Sequence, residues 1–355
     1  MEKRQVRARQ FLKGLDALLI SSRQSVTYLS GYTGSDAVLL ITDAKTFLFV
    51  DSRNTLQAMQ ETTAEIREVV RRWEGVLCVL EEEGIKSLGI ESNVIDLDSF
   101  MRMKDIFTGI EMTPLGCQLK RLRVFKDERE VEFIRKAALI SEQALEAVLS
   151  KGLIGRRECD VALDLEWEMR KRGASAASFE LIVASGPRSA MPHGSASARV
   201  IGPDEPLVID FGCVCGGYCS DQTVTVTTGA PGSAFAEAYA QVREAQERSI
   251  KALASGVKAS SIDKIARDHL EAHGLARFFG HGLGHGVGLE IHEAPTVSSL
   301  SDDVLEEGMV ITIEPGVYLP GEFGIRIEDM VLITDNSCKR LTNLDKEGIK
   351  VISQR

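Results

Sequence analysis

Over the first 120 residues, short apolar runs alternate with amphipathic stretches. DALLIS (16–21), SVTYLSG (25–31), DAVLLIT (36–42) and KTFLFVD (45–51) are rich in β-branched and aromatic residues, are broken by Gly, Ser and Asp, and predict strands. Helix-like NTLQAMQETT, strand-like EIREVV, helix-like EGVLCVLEEEG, strand-like SLGIES and a helix over 96–107 follow, completing a small α/β unit. The unit contains no histidine and no acids at ligand spacing, so it reads as a scaffold or specificity domain.

The pattern changes near 120–127, where a long helix opens with Val131, Ile134, Ala138 and Leu145 on one apolar face. The order of elements then repeats. Helices over 127–150 and 158–172, a short strand and a β-hairpin over 207–226 form one set. Helices over 233–254 and 261–272, a Gly/His segment and a hairpin over 309–333 form the second. Ser260 followed by Asp263 suggests a capping box for the last helix. The repeat implies an internal duplication, and two equivalent halves meet at a shared cleft. The expected boundaries are 1–122 for the small domain and 123–355 for the duplicated one.

Both hairpins carry acids where apolar residues dominate. With a turn between Cys215 and Gly216, Asp210 opposes Asp221; with a turn on Gly321, Glu314 opposes Glu328. Directly opposed like charges destabilise a sheet, and a divalent cation between them removes the conflict. Two such pairs, one per half, are hard to explain as surface decoration. Between the hairpins runs FGHGLGHGVGLEIHEAP (279–295), with His281, His285 and His292. Its alternating glycines disfavour a helix and suit an extended segment whose backbone approaches its neighbours closely. His193 sits in a loop of small residues, whereas His269 and His273 are expected on the surface of an amphipathic helix. Cys219 shares the carboxylate side of the hairpin, but reduced filler is the simpler role for it.

Composition narrows the partners. The 355 residues carry 42 Lys plus Arg against 52 Asp plus Glu, a formal charge of −10 that repels phosphate backbones and anionic membranes. No run approaches the ~18 apolar residues of a membrane span, and the basic N-terminus lacks an apolar signal core. Seven cysteines without framework spacing suggest reduced thiols in a cytoplasm. The glycine run fails the dinucleotide pattern, and phosphate-loop, zincin and serine-elbow motifs are absent. Four carboxylates and one imidazole suit two divalent metals, Mn²⁺ or Co²⁺ ahead of Zn²⁺ or Fe²⁺, that activate a hydroxide and polarise a carbonyl.

DFGCVCGGYCSD, HGLGHGVGLEIHE, TIEPGVY and GIRIEDMVLIT resemble, in order, the motifs of the pita-bread metallopeptidases: Xaa-Pro dipeptidases, aminopeptidase P and, more distantly, methionine aminopeptidases. VTYLSGYTGSDAVLLIT with DSRNTLQA is similar to the creatinase/prolidase N-terminal domain. The resemblance implies an α/β (α+β) fold: a pita-bread catalytic domain with pseudo-twofold duplication behind a smaller creatinase-type domain. It implies that Asp210 binds one metal, that His285 and Glu314 bind the other, and that Asp221 and Glu328 bridge both. Glu314 would also exchange protons with the bridging hydroxide, while His193 and His292 would bind the substrate carbonyl or stabilise the tetrahedral intermediate. His281 would contact the proline side of the substrate. Tyr318 and Arg326 would line the same pocket, Arg326 steadying a bridging carboxylate.

Cleavage before proline in short peptides is the implied reaction, with dipeptidase preferred to aminopeptidase P, in a cytoplasmic homodimer with no nucleic-acid or membrane partner. A metal-free amidinohydrolase or a non-catalytic binding protein is disfavoured, because all five ligand positions are intact. Val224 stands where the family often has arginine and Asn54 where it often has tyrosine; neither is a ligand position.

Overall fold

The computed structural model describes residues 2–352, and the chain divides into two compact units between Arg123 and Val124. The first is built on a six-stranded mixed sheet in the spatial order Glu65–Glu68, Thr46–Val50, Val38–Thr42, Ala17–Ile20, Ser87–Ile90 and Glu111–Pro114. Neighbours run antiparallel among the three strands from Ala17 to Val50 and parallel at both ends of the sheet. Helices Arg72–Glu82 and Leu97–Ile106 contribute Val76, Val79, Leu80 and Met103 to a core with Leu19, Leu40 and Phe49.

The expected strand over 25–31 is instead the helix Arg23–Ser30. Its β-branched and aromatic content is outweighed at its ends. The Ser22 side chain accepts from Ser25 N–H, Gly31 stops the helix at φ +83°, and buried Glu91 accepts hydrogen bonds from both Ser22 and Ser25 hydroxyls.

In the second unit, helix Glu128–Leu149 begins with Asp127 and Glu130 in a reciprocal capping box. It packs with helix Glu158–Lys171, and helix Ser233–Lys251 packs with helix Ala259–Ala272. Each pair covers one hairpin. Ala144, Val148 and Leu165 meet Ile209, Phe211 and Val224 in one core, and Val242, Ile262 and Ala266 meet Ile311, Ile325 and Val331 in the other. The expected cap at Ser260 does not form: the helix starts at Ala259 after Lys258, without a side-chain cap. Asp263 turns inward instead, pairing with Arg267 at 2.6 Å. Arg267 in turn binds the carbonyls of Phe279 and His281, and Asp263 accepts from Leu283 N–H, so this pair fixes the start of the Gly/His segment.

Both hairpins are interrupted, and the interruptions matter for the site. In the first, Pro206–Phe211 pairs with Gln222–Thr227 and Cys213–Cys215 with Tyr218–Cys219, leaving Asp221 in the break. In the second, Val310–Ile313 pairs with Asp329–Ile333 and Gly316–Leu319 with Phe323–Arg326, leaving Glu314 and Glu328 in the break. The second register is the expected one about Gly321. The first differs, because the turn is formed by Gly216 and Gly217, both at positive φ. Asp210 therefore faces Thr223 rather than Asp221. The slip is two residues, and since side chains alternate with period two, both aspartates stay on one face.

Candidate active site

The two broken hairpins and the Gly/His segment deliver their functional side chains to one cavity of about 460 Å³. Asp210, Asp221, His281, His285, His292, His193, Glu314, Tyr318, Arg326 and Glu328 all line it, so every residue singled out for chemistry reaches the same space.

His285 lies in the extended strand Gly284–Gly286. A Cβ on Gly284 would stand 2.0 Å from Thr312 O, and one on Gly286 2.2 Å from Ala294 O, so both glycines are required by backbone approach. His285 Nε2 is 3.4 Å from Asp221 Oδ2 and 3.5 Å from Glu314 Oε1, while its Nδ1 faces Gly286 O at 3.0 Å. Asp221, His285 and Glu328 each place a ligand atom within 4.8 Å of the other two.

The electrostatics of this cluster are those of crowded acids. Burial pushes Asp221 up to about 6 and Glu314 to about 7. Glu328 is raised by burial and by the charges of Asp221, Glu314 and Asp210. Burial alone would lower His285, but its bond to Asp221 and the charge of Glu314 raise it to about 9. Asp210 Oδ1 and Glu328 Oε1 are buried with no hydrogen-bond partner. Buried carboxylate oxygens without donors, beside an imidazole, are the donor set a divalent cation satisfies, so the residues present fit a metal.

Arg326 is the cation of the cluster. It is buried, and its Nη2 lies 2.6 Å from Asp210 Oδ2. Its Nη1 donates to Tyr318 Oη at 2.8 Å and to Pro192 O at 3.1 Å. Its direct carboxylate partner is thus Asp210, not one of the acids expected to bridge; it reaches Glu328 only through Thr223. Tyr318 Oη also meets His281 Nε2 at 3.0 Å. Burial pushes His281 down to about 4, so it is neutral at pH 7. His292 is lowered too, by burial and by His285, whose ring centre lies 4.4 Å away.

Several residues that shape the site were not anticipated. Thr223 and Thr312 share strand faces with Asp221 and Glu314, two positions away in each case, which period two could have revealed. Thr312 binds both His285 N–H, at 3.1 Å, and Glu314 Oε1, at 3.3 Å. Gln246, a polar residue on an apolar helix face, donates to Ile313 O and Ile327 O, the carbonyls that precede Glu314 and Glu328. Lys126 and Glu293 form an ion pair at 3.1 Å, with side chains 1% and 4% exposed, beside His292. Contrary to expectation, His269 is buried, bonded to Gln241 at 3.0 Å; His273 is exposed. Burial pushes the Cys219 thiol to about 12, as expected of a protonated, buried thiol.

Residues 132–335 match the family model described as Metallopeptidase family M24, and residues 4–125 match the Creatinase/Prolidase N-terminal domain. The chain belongs to metallopeptidase family M24. An Xaa-Pro dipeptidase of Pyrococcus horikoshii is 38% identical over 336 residues, 94% of this chain and 95% of that protein. The solved Xaa-Pro dipeptidase from Bacillus anthracis superposes with a TM-score of 0.96 at 36% identity, covering 99% of each chain. An X-Pro aminopeptidase from Thermotoga maritima gives a TM-score of 0.92 at 40% identity, covering 98% of this chain and 100% of its own. The mixed α/β architecture, a creatinase-type unit preceding a pita-bread catalytic unit, is therefore that of the M24 metallo-exopeptidases, which function with divalent metal. No helix among the described residues is long and apolar enough to cross a membrane.

Proposed function

We propose that this chain is an Xaa-Pro dipeptidase, cleaving the bond between an N-terminal residue and proline. The observation that carries the reading is the convergence of two carboxylate pairs, one from each half of the fold, on one cavity with His285. In this reading Asp210, Asp221, His285, Glu314 and Glu328 hold two divalent ions, Mn²⁺ or Co²⁺ by their oxygen-rich ligation. Such ions supply Lewis acidity and a water acidified to near neutrality.

The chain's own groups do the rest. Glu314 exchanges the proton of the attacking water. His193 and His292, both exposed to the cleft, donate hydrogen bonds to the substrate carbonyl oxygen as it gains charge. His281 and Tyr318 form an uncharged wall suited to a proline ring, which has no N–H to satisfy. Arg326 spends four of its five N–H groups on Asp210, Tyr318, Thr223 and Pro192, and its charge is paired with Asp210. Arg277 is available. It lines an outer cavity that shares His193, His281 and Tyr318 with the first, stacks over Phe278 and carries no ion pair among the described residues. A dipeptide's C-terminal carboxylate meets a cation there. Free, unpaired thiols fit a cytoplasmic setting, and a homodimer is the assembly the resemblance implies.

The second reading, an Xaa-Pro aminopeptidase, is favoured by the likeness to the Thermotoga maritima structure. The deciding experiment measures bound metal and then hydrolysis of an Xaa-Pro dipeptide, an Xaa-Pro-Xaa tripeptide and a proline-free control. Cleavage of the dipeptide alone supports the first reading, and release of the first residue from the tripeptide supports the second. No metal and no cleavage overturns both.

A further inference from the structure

We infer that Glu180 selects the charge of the side chain that precedes proline, favouring cationic over anionic residues; this rests on the Xaa-Pro reading above. The cleft's charged lining is almost entirely committed. Asp210, Asp221, Glu314 and Glu328 are the four acids assigned to metal in the reading above, and every nitrogen of the Arg326 guanidinium is bonded. Glu180 is the remaining acid in the lining, with no hydrogen bond or ion pair among the described residues.

Its position in the chain explains why it faces the cleft. Glu180 precedes the strand Ile182–Ser185, whose first residue is paired with Asp210 across the sheet. The segment that carries it is thereby registered against the metal cluster. The same lining includes the apolar Phe179, Ile182 and Ile291, the first two within two residues of Glu180 in the chain. Ile291 immediately precedes His292, the group assigned to the scissile carbonyl, and both line the cavity. His281 and Tyr318 are the lining residues assigned above to the proline ring, and the Glu180 segment is assigned here to the residue before proline.

The chemistry of such a subsite is specific. Lysine and arginine side chains lay their methylene stems on apolar surface while the charged head reaches a polar edge. Phe179, Ile182 and Ile291 offer the surface and Glu180 the edge. An aspartate or glutamate before proline meets the same carboxylate and is repelled. A neutral aliphatic residue gains the apolar contact alone. Because Glu180 is exposed, the selection is modest, about fivefold between opposite charges.

The test compares kcat/KM for Lys-Pro and Glu-Pro in the Mn²⁺-loaded full chain and in Glu180→Gln and Glu180→Lys, with metal content and Tm establishing that each variant is folded. The Lys-Pro to Glu-Pro ratio is expected to be about five in the wild type, to fall to about one in Glu180→Gln and to invert in Glu180→Lys. Calorimetric Kd values for the two dipeptides on a His292→Ala background, where they remain uncut, should follow the same order. Equal ratios in all three proteins overturn the assignment of Glu180 while leaving the dipeptidase reading intact. A wild type that cuts no Xaa-Pro dipeptide overturns both.

Discussion

Thr223 Oγ1 donates a 2.7 Å hydrogen bond to Glu328 Oε2 while accepting one from Arg326 Nε at 3.0 Å. The two residues belong to different hairpins, so one hydroxyl joins the halves of the fold at the cluster of buried carboxylates. A hydroxyl has a single proton, and committing it to Glu328 fixes which carboxylate oxygen is tied down and leaves Oε1 without a partner.

Thr223→Val, which keeps the shape and removes the hydroxyl, is expected to weaken metal binding about 10- to 100-fold and to destabilise the metal-free protein by about 1–3 kcal/mol. Thr223→Ser should restore most of both. Metal titration by calorimetry and urea unfolding of the chelated protein measure the two effects. Wild-type metal affinity in Thr223→Val would show that Glu328 is held by other means.

Asp221→Ala or Glu328→Ala should lose bound metal, whereas His292→Ala should retain it and lose turnover. Metal analysis of the purified variants separates the two classes. Full metal content in Asp221→Ala would remove Asp221 from the bridging role.

Metal loading should expel protons. In the metal-free site Asp221, Glu314 and Glu328 are raised above their ordinary values and His285 is raised to about 9, so the native state retains protons near neutrality. All four shifts have the same sign: they stabilise the metal-free fold below the ordinary values and lose that effect as pH rises through the folded ones. A cation competes with these protons. Calorimetry at pH 6.5 in buffers of different ionisation enthalpy is therefore expected to show release of at least one proton per protein. Enthalpies independent of buffer would contradict the cluster described above.

His281 should make the fold acid-sensitive in the opposite sense. Its pKa is lowered from 6.5 to about 4, so its contribution is complete above 6.5 and is lost as pH falls toward 4. The full loss is about 3 kcal/mol. Between pH 7 and pH 5 the chelated His281→Asn variant should lose less stability than the wild type in urea unfolding. Identical pH slopes would show that His281 stays solvated.

The sequence by itself identified the elements and the chemistry wherever the signal is local. Alternation, periodicity and turn residues sufficed for most strands and helices of both units, and for the paired acids of the second hairpin, whose register about Gly321 is set by that turn. Local rules failed where two of them competed. Over 25–31, β-forming side chains lost to the Ser22 cap and the Gly31 stop. In the first hairpin two adjacent glycines moved the turn by one position and the register by two. At Ser260 the apparent cap gave way to burial of Asp263 against Arg267.

Only the tertiary structure decided which groups meet. Arg326 pairs with Asp210 across 116 positions and, through Thr223, steadies Glu328; Gln246 reaches the carbonyls before Glu314 and Glu328. Which oxygens are bonded and which are left for a cation follows from these contacts. Hydrogen bonds of this kind depend on distances of about 3 Å between segments remote in the chain, and no periodicity encodes them. The pKa shifts have the same origin, since burial and neighbouring charges exist only once the two halves close on one cavity.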